Sequence, residues 1–292
     1  MMKKSKRTML FSPADNPKML VNAHLYKPDA IIFDLEDAVK YSEKDAARDL
    51  LAEALRVMDY GDTEIYARIN PLYTEFGKDD VTQLVPAGLR FMRLAMCEKP
   101  EQIIELDKLL TKIEKEHKIP AGSCKIQCSL ETPLGVTNAV AIASASKRVE
   151  SISFGAEDFT RSLGAERTKE GKEIFTARSM VVMAAAIAGV DAIDTVWSDI
   201  NDEEGFREEV KGAMNMGFAG KSCIHPSQVK IVHEIFTPSK EELEKSLAIV
   251  EAASKANINK GGVITVNGKM VDIPVIAKAE KVVRLAKAAE II

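Results

Sequence analysis

The sequence lacks any apolar run of membrane-spanning length, which would need about 20 consecutive apolar residues. The first residues, MMKKSKRTMLF, are basic but have no long apolar segment and no small-residue cleavage site, so no secretory signal peptide is predicted. The 292 residues carry a net charge of −4, and lysine and glutamate are interspersed without a large basic face. These absences predict a cytoplasmic protein that binds neither nucleic acid nor an anionic membrane.

Cysteine is scarce, and its spacing does not suggest a metal site. The four cysteines lie in apolar-rich runs and no two form a CxxC pair: Cys97, Cys124, Cys128 and Cys223. We therefore expect buried free thiols rather than a zinc site or disulfides. No GxGxxG pattern follows an early strand, which makes a doubly wound dinucleotide-binding fold the weaker alternative.

Eight apolar runs that are typical of strands alternate with helical patterns. The strand candidates lie within 8–14, 29–39, 64–70, 91–98, 125–135, 149–159, 191–197 and 220–226, and the clearest helices are 43–58, 100–117, 173–188 and 203–216. This alternation predicts an α/β fold, a closed parallel (β/α)₈ barrel over residues 1–237.

Residues 238–292 differ in character and are not needed to close a barrel. They predict a charged helix over 239–259, a hairpin turning at Asn267-Gly268, and a last amphipathic helix over roughly 275–290. We interpret this extension as a lid or a subunit contact.

Two of the predicted strands run into an acidic residue, at Glu131 and at Asp158. Catalytic groups of a parallel barrel gather at the carboxyl ends of its strands. Two carboxylates there, without a His or Cys cluster, suit a hard cation such as Mg²⁺. The alternative is that each acid only caps a helix, as acids often do at helix starts.

Arg68 ends the third strand, where its planar guanidinium could bind a substrate carboxylate. It could instead pair with the acids that end the second strand, such as Asp34 or Glu36. In the same DLED run, Glu36 and Asp37 could hold metal-bound water or orient Arg68, and Asp37 could equally cap the next helix.

Lys221 suggests a rival mechanism, because a barrel lysine can form a Schiff base with a carbonyl substrate. Its position at the start of the eighth strand disfavours this, since catalytic groups lie at strand ends. His225 does lie at a strand end, but Pro226 follows directly. A structural role for His225 at a helix start is therefore at least as well supported as a role as general base.

The assembled motifs resemble those of the citrate lyase β-subunit family, within a wider family of metal-dependent carbon–carbon lyases that includes malyl-CoA and citramalyl-CoA lyases. The resemblance runs nearly end to end, through KRTMLFSPADNP, DAIIFDLEDAV, YGDTEIYARIN, ETPLG, SFGAEDF, DAIDTVWSDINDEEGF, GFAGKSCIHPSQV and NGKMVDIP. The chain departs from the family in reading LAMCE at 94–98, where many relatives carry Leu-Pro-Lys-Thr-Glu, and Pro13-Ala14 where a Pro-Gly is common.

The resemblance implies a modified TIM barrel that assembles as a homotrimer or a multiple of one. It implies that Glu131 and Asp158 ligate Mg²⁺ and that Arg68 and Glu131 contact substrate. Glu36 of the DLED run is a further candidate catalytic residue. Asp272 would reach a neighbouring subunit's active site and protonate the acetyl enolate. The alternative for Asp272 is that it caps the final helix just before Pro274.

The resemblance also implies the reaction: Mg²⁺-dependent cleavage of a citryl thioester into oxaloacetate and an acetyl thioester. The partners would be the acyl carrier protein (γ) and CoA-transferase (α) subunits of a citrate lyase complex. One alternative is a stand-alone lyase or aldolase acting on malyl-CoA, citramalyl-CoA or a 2-keto acid. Another is a non-catalytic scaffold subunit.

Overall fold

The computed structural model describes residues 6–256, 263–266, 268–289 and 291–292. Eight parallel strands close into a barrel in sequence order, and β1 pairs with β8 to complete it. The strands are β1 (Thr8–Pro13), β2 (Ala30–Asp34), β3 (Glu64–Ile69), β4 (Phe91–Leu94), β5 (Lys125–Leu130), β6 (Val149–Phe154), β7 (Asp191–Asp194) and β8 (Gly220–Cys223). The predicted α/β barrel is confirmed.

The helices that follow the strands are α1 (Pro17–Asn22), α2 (Lys44–Val57), α3 (Gly77–Ala87), α4 (Pro100–Glu116), α5 (Pro133–Thr137), α6 (Ala139–Ala143), α7 (Ala156–Leu163), α8 (Lys172–Ala188), α9 (Glu203–Met216) and α10 (Pro226–Phe236). Short 3₁₀ turns occupy Ala23–Tyr26 and Tyr41–Glu43. The sequence did not predict α3, which has Pro86 in its last turn, where a proline normally argues against a helix. None of the helices within the described ranges is long and apolar enough to cross a membrane.

The barrel interior changes from apolar to polar along the strands. Near the amino ends of the strands, the inward side chains form an apolar layer of Met9, Ala30, Ile32, Tyr66 and Ile193. Nearer the carboxyl ends of the strands, inward positions are taken by polar residues that include Asp34, Arg68, Arg93, Ser129 and Ser222, all buried. The polar part of the interior therefore lies towards the carboxyl ends of the strands.

The chain divides into two compact units, with the described residues from Lys6 to Val232 in one and those from His233 to Ile292 in the other, so the boundary falls within α10. The second unit contains α11 (Lys240–Lys255), the antiparallel pair β9 (Ile264–Val266) and β10 (Lys269–Val271), and α12 (Ile273–Ala288). The predicted turn residue Asn267 lies outside the described residues, as do residues 257–259 of the predicted charged helix. The predicted hairpin-plus-helix extension is present.

The four cysteines are buried and unpaired, as the sequence predicted. Their burial places the thiols in an apolar environment, which raises the pKa of Cys124 to about 11 and that of Cys223 to about 12. At neutral pH these two side chains are therefore protonated and behave as small apolar groups.

Candidate active site

A cavity of about 430 Å³ opens at the carboxyl ends of the barrel strands. Its walls carry charged residues from five different segments, in the position where parallel barrels build active sites. The charged lining residues are Asp34, Asp37, Arg68, Arg93, Glu131, Glu157 and Asp158. The apolar part of the lining includes Phe11, Pro13, Phe154 and Ile224.

Glu131 follows β5 directly and is 2% exposed. Both of its carboxylate oxygens are held: the Ser129 hydroxyl donates to Oε1, and the backbone N–H of Met96 donates to Oε2 at 3.1 Å. A Cβ at Gly155 would lie 2.5 Å from Cγ of Glu131, so only glycine leaves room for this side chain. Thr132 caps α5 as the sequence predicted, accepting from Gly135 N at 3.1 Å, so Glu131 itself does not serve as this cap.

The loop after β4 supplies the contact to Glu131 from its backbone. Met96 has φ +51°, in the left-handed region that costs a non-glycine residue roughly 1–2 kcal/mol. Gln102, in the first turn of α4, clamps this loop: its Nε2 donates to Met96 O at 3.0 Å, and its Oε1 accepts from the backbone of Glu98 and Lys99 at 2.7 and 2.9 Å. The LAMCE sequence at 94–98 departs from the family pattern. It still provides one hydrogen-bond donor to Glu131, the main-chain N–H of Met96.

Asp158 lies in the first turn of α7, with Phe154 and Gly155 of the preceding strand end beside it in the cavity wall. Its carboxylate forms an ion pair with Arg161, whose side chain is 77% exposed. Burial, followed by the charge of Glu131, raises the pKa of Asp158, and Arg161 offsets this only partly. Asp158 and Glu131 are therefore close enough to repel each other across the cavity.

This pair of acids fits a hard divalent cation. Within the described ranges there is no cluster of three or more His, Cys, Asp or Glu side chains that could hold a metal. Mg²⁺ does not need one, since it commonly keeps several waters and binds through one or two carboxylates. Glu131 is buried and Asp158 is half-buried. A cation held between their carboxylates would relieve the repulsion between them.

Arg68 is 9% exposed and points into the barrel. Its Nε and Nη2 bind the two oxygens of Asp34 at 2.7 and 2.6 Å, and its Nη1 lies 2.9 Å from a carboxylate oxygen of Glu36. Burial alone would raise the pKa of Asp34, but the hydrogen bonds and charge of Arg68 outweigh it and lower that pKa. The structural alternative for Arg68, pairing with Asp34 and Glu36, is present, and Nη1 also lies 3.5 Å from a carboxylate oxygen of Asp37. Arg68 still forms part of the cavity lining.

Glu36 has an unusual electrostatic environment. Burial raises its pKa to about 8, and the charges of Asp37 and Glu131 add to this against the lowering effect of Arg68. Arg68 does not bring this pKa back to its usual range because Asp34 already neutralises the guanidinium. A carboxyl group that titrates near neutral pH is a feature of acid–base sites.

Arg93 is a site residue that the sequence reasoning missed. It lies on β4 opposite Arg68 in the strand register, lines the cavity and is 3% exposed. Its hydrogen-bond partners are the hydroxyls of Ser129, at 3.2 and 3.0 Å, and of Ser222, at 3.4 Å. The sequence could have indicated this position through the two-residue period of the strand, which places Phe91 and Arg93 on the same inward face.

The structure places Lys221 and His225 outside the cavity lining. Lys221 is fully buried among acids, with its ammonium 2.9 Å from Asp194 and 2.7 Å from Glu209. His225 is exposed, and its Nδ1 lies 2.8 Å from the hydroxyl of Ser227 in the first turn of α10. Neither faces the cavity, which is evidence against the Schiff-base mechanism and favours the structural role of His225.

Asp272 lies in the His233–Ile292 unit and caps α12. Its Oδ1 accepts a hydrogen bond from the backbone N–H of Val275 at 3.2 Å. The capping role considered from the sequence is therefore present.

Comparisons with known proteins agree with this architecture. The family model described as HpcH/HpaI aldolase/citrate lyase matches residues 7–226. The chain is 44% identical over 284 residues to citrate lyase subunit beta of Haemophilus influenzae, covering 97% of this chain and 98% of that protein.

Two solved structures from Mycobacterium tuberculosis also resemble the chain. Protein CitE in complex with magnesium, acetoacetate and coenzyme A superimposes with a TM-score of 0.76 and 31% identity, covering 97% of this chain and 98% of that one. The citrate lyase beta subunit complexed with oxaloacetate and magnesium has a TM-score of 0.68 and 31% identity, covering 80% of this chain and 98% of that one. With its closed barrel and acidic cavity, the chain belongs to the HpcH/HpaI aldolase/citrate lyase family and is a carbon–carbon lyase.

Proposed function

We propose that this cavity cleaves a citryl thioester into oxaloacetate and an acetyl thioester, with Mg²⁺ held by Glu131 and Asp158. One observation carries the proposal: two mutually repelling carboxylates and two buried arginines line a single cavity of about 430 Å³. The substrate is a hydroxy acid with two free carboxylates, so it needs both a cation site and positive side chains. The oxaloacetate and magnesium bound to the M. tuberculosis citrate lyase beta subunit support this choice.

Glu131 and Asp158 would hold the metal through oxygen donors. When bound there, Mg²⁺ supplies positive charge that binds the tertiary hydroxyl and its adjacent carboxylate and makes the hydroxyl more acidic. The Ser129 hydroxyl and the Met96 N–H fix the Glu131 carboxylate in one orientation, and such supporting hydrogen bonds typically strengthen metal binding.

Arg68 would bind a carboxylate of the departing oxaloacetate through Nη1. Asp34 holds the other side of its guanidinium, and Glu36 keeps Nη1 in place at 2.9 Å, so the arginine is oriented before substrate binds. Such orientation lowers the entropy lost on reaching the transition state. Glu36 is the group of this set whose proton can move near neutral pH.

In cleavage a base takes the hydroxyl proton, and the bond between the hydroxyl-bearing carbon and the thioester methylene breaks. The electron pair passes to the methylene as the acetyl-thioester enolate, which must then take up a proton. We assign that protonation to Asp272 of a neighbouring subunit, in a homotrimer or a multiple of it. The assembly partners would be the acyl carrier protein and CoA-transferase subunits, as expected for a homologue of citrate lyase subunit beta.

A substrate panel tests the proposal. The purified chain is incubated with citryl-CoA, citramalyl-CoA or malyl-CoA, with Mg²⁺ or with a chelator, and the oxo acid released is measured. We expect Mg²⁺-dependent release of oxaloacetate from citryl-CoA to be the fastest reaction. Faster release of pyruvate or glyoxylate would instead identify a stand-alone citramalyl-CoA or malyl-CoA lyase. No cleavage of any ester would support the scaffold alternative.

A further inference from the structure

We propose that Arg93 binds the distal carboxylate of the citryl group, the CH₂COO⁻ arm, and thereby selects citryl over citramalyl and malyl thioesters. This inference rests on the proposed function and names the side chain that distinguishes the citryl thioester from the other two. The three thioesters share the hydroxyl-bearing carbon and its carboxylate, and they differ only in the remaining substituent, which is CH₂COO⁻, CH₃ or H. A protein that prefers the citryl ester therefore needs one additional cationic contact.

The position of Arg93 suits that contact. It lies on β4 opposite Arg68 of β3, lines the cavity and is 3% exposed. Its guanidinium carbon lies 4.9 Å from the centroid of Phe11, which is also part of the cavity wall. The charge is thus almost fully shielded from bulk water.

Arg93 differs from the other buried arginines in the charge of its partners. Arg68 binds Asp34, Arg148 binds Glu114 and Arg178 binds Asp194, each at 2.6–3.0 Å through two nitrogen–oxygen contacts. Arg93 donates only to the hydroxyls of Ser129 and Ser222, and none of its contacts within the described part of the chain is with a carboxylate. The charges of Glu131 and Asp34 act on the guanidinium without contacting it, and they do not offset the cost of its burial. An anion that contacts Arg93 directly is therefore the partner that this site lacks.

Arg93 is also linked to the candidate metal site. The Ser129 hydroxyl accepts from Arg93 and donates to Glu131, so one side chain separates the guanidinium from the carboxylate. Burial lowers the pKa of Arg93 to about 10, which still leaves it protonated at neutral pH. A substrate whose hydroxyl and first carboxylate lie at Glu131 would have its second carboxylate within reach of this charge.

Arg68 does not replace Arg93 in this role. Its Nε and Nη2 are engaged by Asp34 and its Nη1 faces Glu36, so much of its charge is already compensated. The two arginines therefore have different roles in the proposed site. Arg68 orients the carboxylate common to all three thioesters, and Arg93 recognises the arm that only the citryl group carries.

Product binding tests this inference without turnover. Pyruvate corresponds to oxaloacetate without its distal carboxylate, so calorimetry with each oxo acid, in saturating Mg²⁺, isolates that one contact. We expect the wild-type chain to bind oxaloacetate about 10- to 100-fold more tightly than pyruvate, the range of a hydrogen bond to a charged group. In Arg93→Met that preference should fall towards one while pyruvate affinity stays within about threefold, and Arg93→Lys should restore part of it.

Arg90→Met is the matched control. Arg90 precedes the same strand, donates to the backbone carbonyls of Val85 and Leu89, and is not part of the cavity lining. This variant should keep the wild-type preference. Thermal unfolding of each variant without ligand checks the fold. Arg93→Met should not be less stable, because it removes a buried charge that no carboxylate contacts directly.

An unchanged oxaloacetate preference in Arg93→Met would overturn the inference and leave the proposed function intact. Equal loss of oxaloacetate and pyruvate binding would also overturn it, since Arg93 would then only position Glu131 through Ser129. If the wild-type chain itself shows no preference for oxaloacetate and does not cleave citryl-CoA, the proposed function fails as well.

Discussion

At the scale of single residues, Glu36 gives the sharpest prediction about pH. Its folded-state pKa of about 8 lies above its ordinary value of 4.5, so the folded chain retains a proton that the unfolded chain releases. The free energy of unfolding should therefore fall as pH rises from about 4.5 to 8, at up to about 1.4 kcal/mol per pH unit from this group. In Glu36→Gln that contribution is removed.

The measurement is urea unfolding of both proteins at several pH values between 5 and 8, with a chelator present. The wild-type curve should decline relative to that of Glu36→Gln. Parallel curves would mean that Glu36 titrates outside this window, and its assignment as a proton-carrying group would lose its basis.

Arg68 is paired with Asp34 and Glu36 in the structure, and we propose that it also binds substrate. Arg68→Lys keeps the charge but loses the two-point contact with Asp34, so both stability and catalysis should decrease. We expect kcat/KM for citryl-CoA to fall by the equivalent of about 2–3 kcal/mol. Steady-state kinetics and urea unfolding measure the two effects separately.

Arg148→Lys is the control for Arg68→Lys. Arg148 binds Glu114 through two nitrogens at 2.8 and 2.7 Å and is not part of the cavity lining. It should lose stability to a similar extent without losing kcat/KM. If both variants show the same kinetic defect, the effect of Arg68→Lys is structural.

At the scale of elements, the first turn of α4 supports the candidate metal site. Gln102 holds the left-handed Met96, whose N–H binds Glu131, so Gln102→Ala should release the loop. Loss of such supporting contacts typically lowers metal affinity 10- to 100-fold, and we expect a loss of about 10-fold in Mg²⁺ affinity, measured by calorimetry.

The start of α10 offers a matched control for Gln102→Ala. Gln228 makes the same clamp, accepting from Ile224 N and His225 N at 2.8 and 3.3 Å and donating to Trp197 O at 3.0 Å. It contacts no candidate metal ligand, so Gln228→Ala should lose comparable stability and keep its Mg²⁺ affinity. Equal affinity losses in both variants would contradict a specific role for Gln102.

Particular elements show how much of the fold and of the candidate site could be predicted from the sequence. Strands such as Ala30–Asp34 are buried at every position, so their apolar runs could be recognised in the sequence. The acids Glu131 and Asp158 could also be recognised, because each follows a predicted strand. Arg93 was missed because its meaning depends on the barrel register, which sets it opposite Arg68. The left-handed Met96 was missed because no local pattern marks a strained backbone that tertiary contacts maintain.

At the scale of the whole molecule, Asp272 belongs to a different compact unit from the cavity residues. Asp272→Asn and Glu131→Gln should each be inactive alone. If Asp272 completes the site of a neighbouring subunit, mixing the two variants and allowing subunit exchange should restore part of the oxaloacetate release. Recovery in no mixture would mean that Asp272 serves its own barrel or only caps α12.

The most direct test of the central claim, that Glu131 and Asp158 form a magnesium site for citryl-thioester cleavage, is a titration. Oxaloacetate release from citryl-CoA is measured against Mg²⁺ concentration for wild type, Glu131→Gln and Asp158→Asn. We predict saturable activation of wild type and no activation of either variant at ordinary Mg²⁺, with the fold retained because both changes are nearly isosteric and remove repelling charge. Full Mg²⁺-dependent activity in either variant would contradict the site.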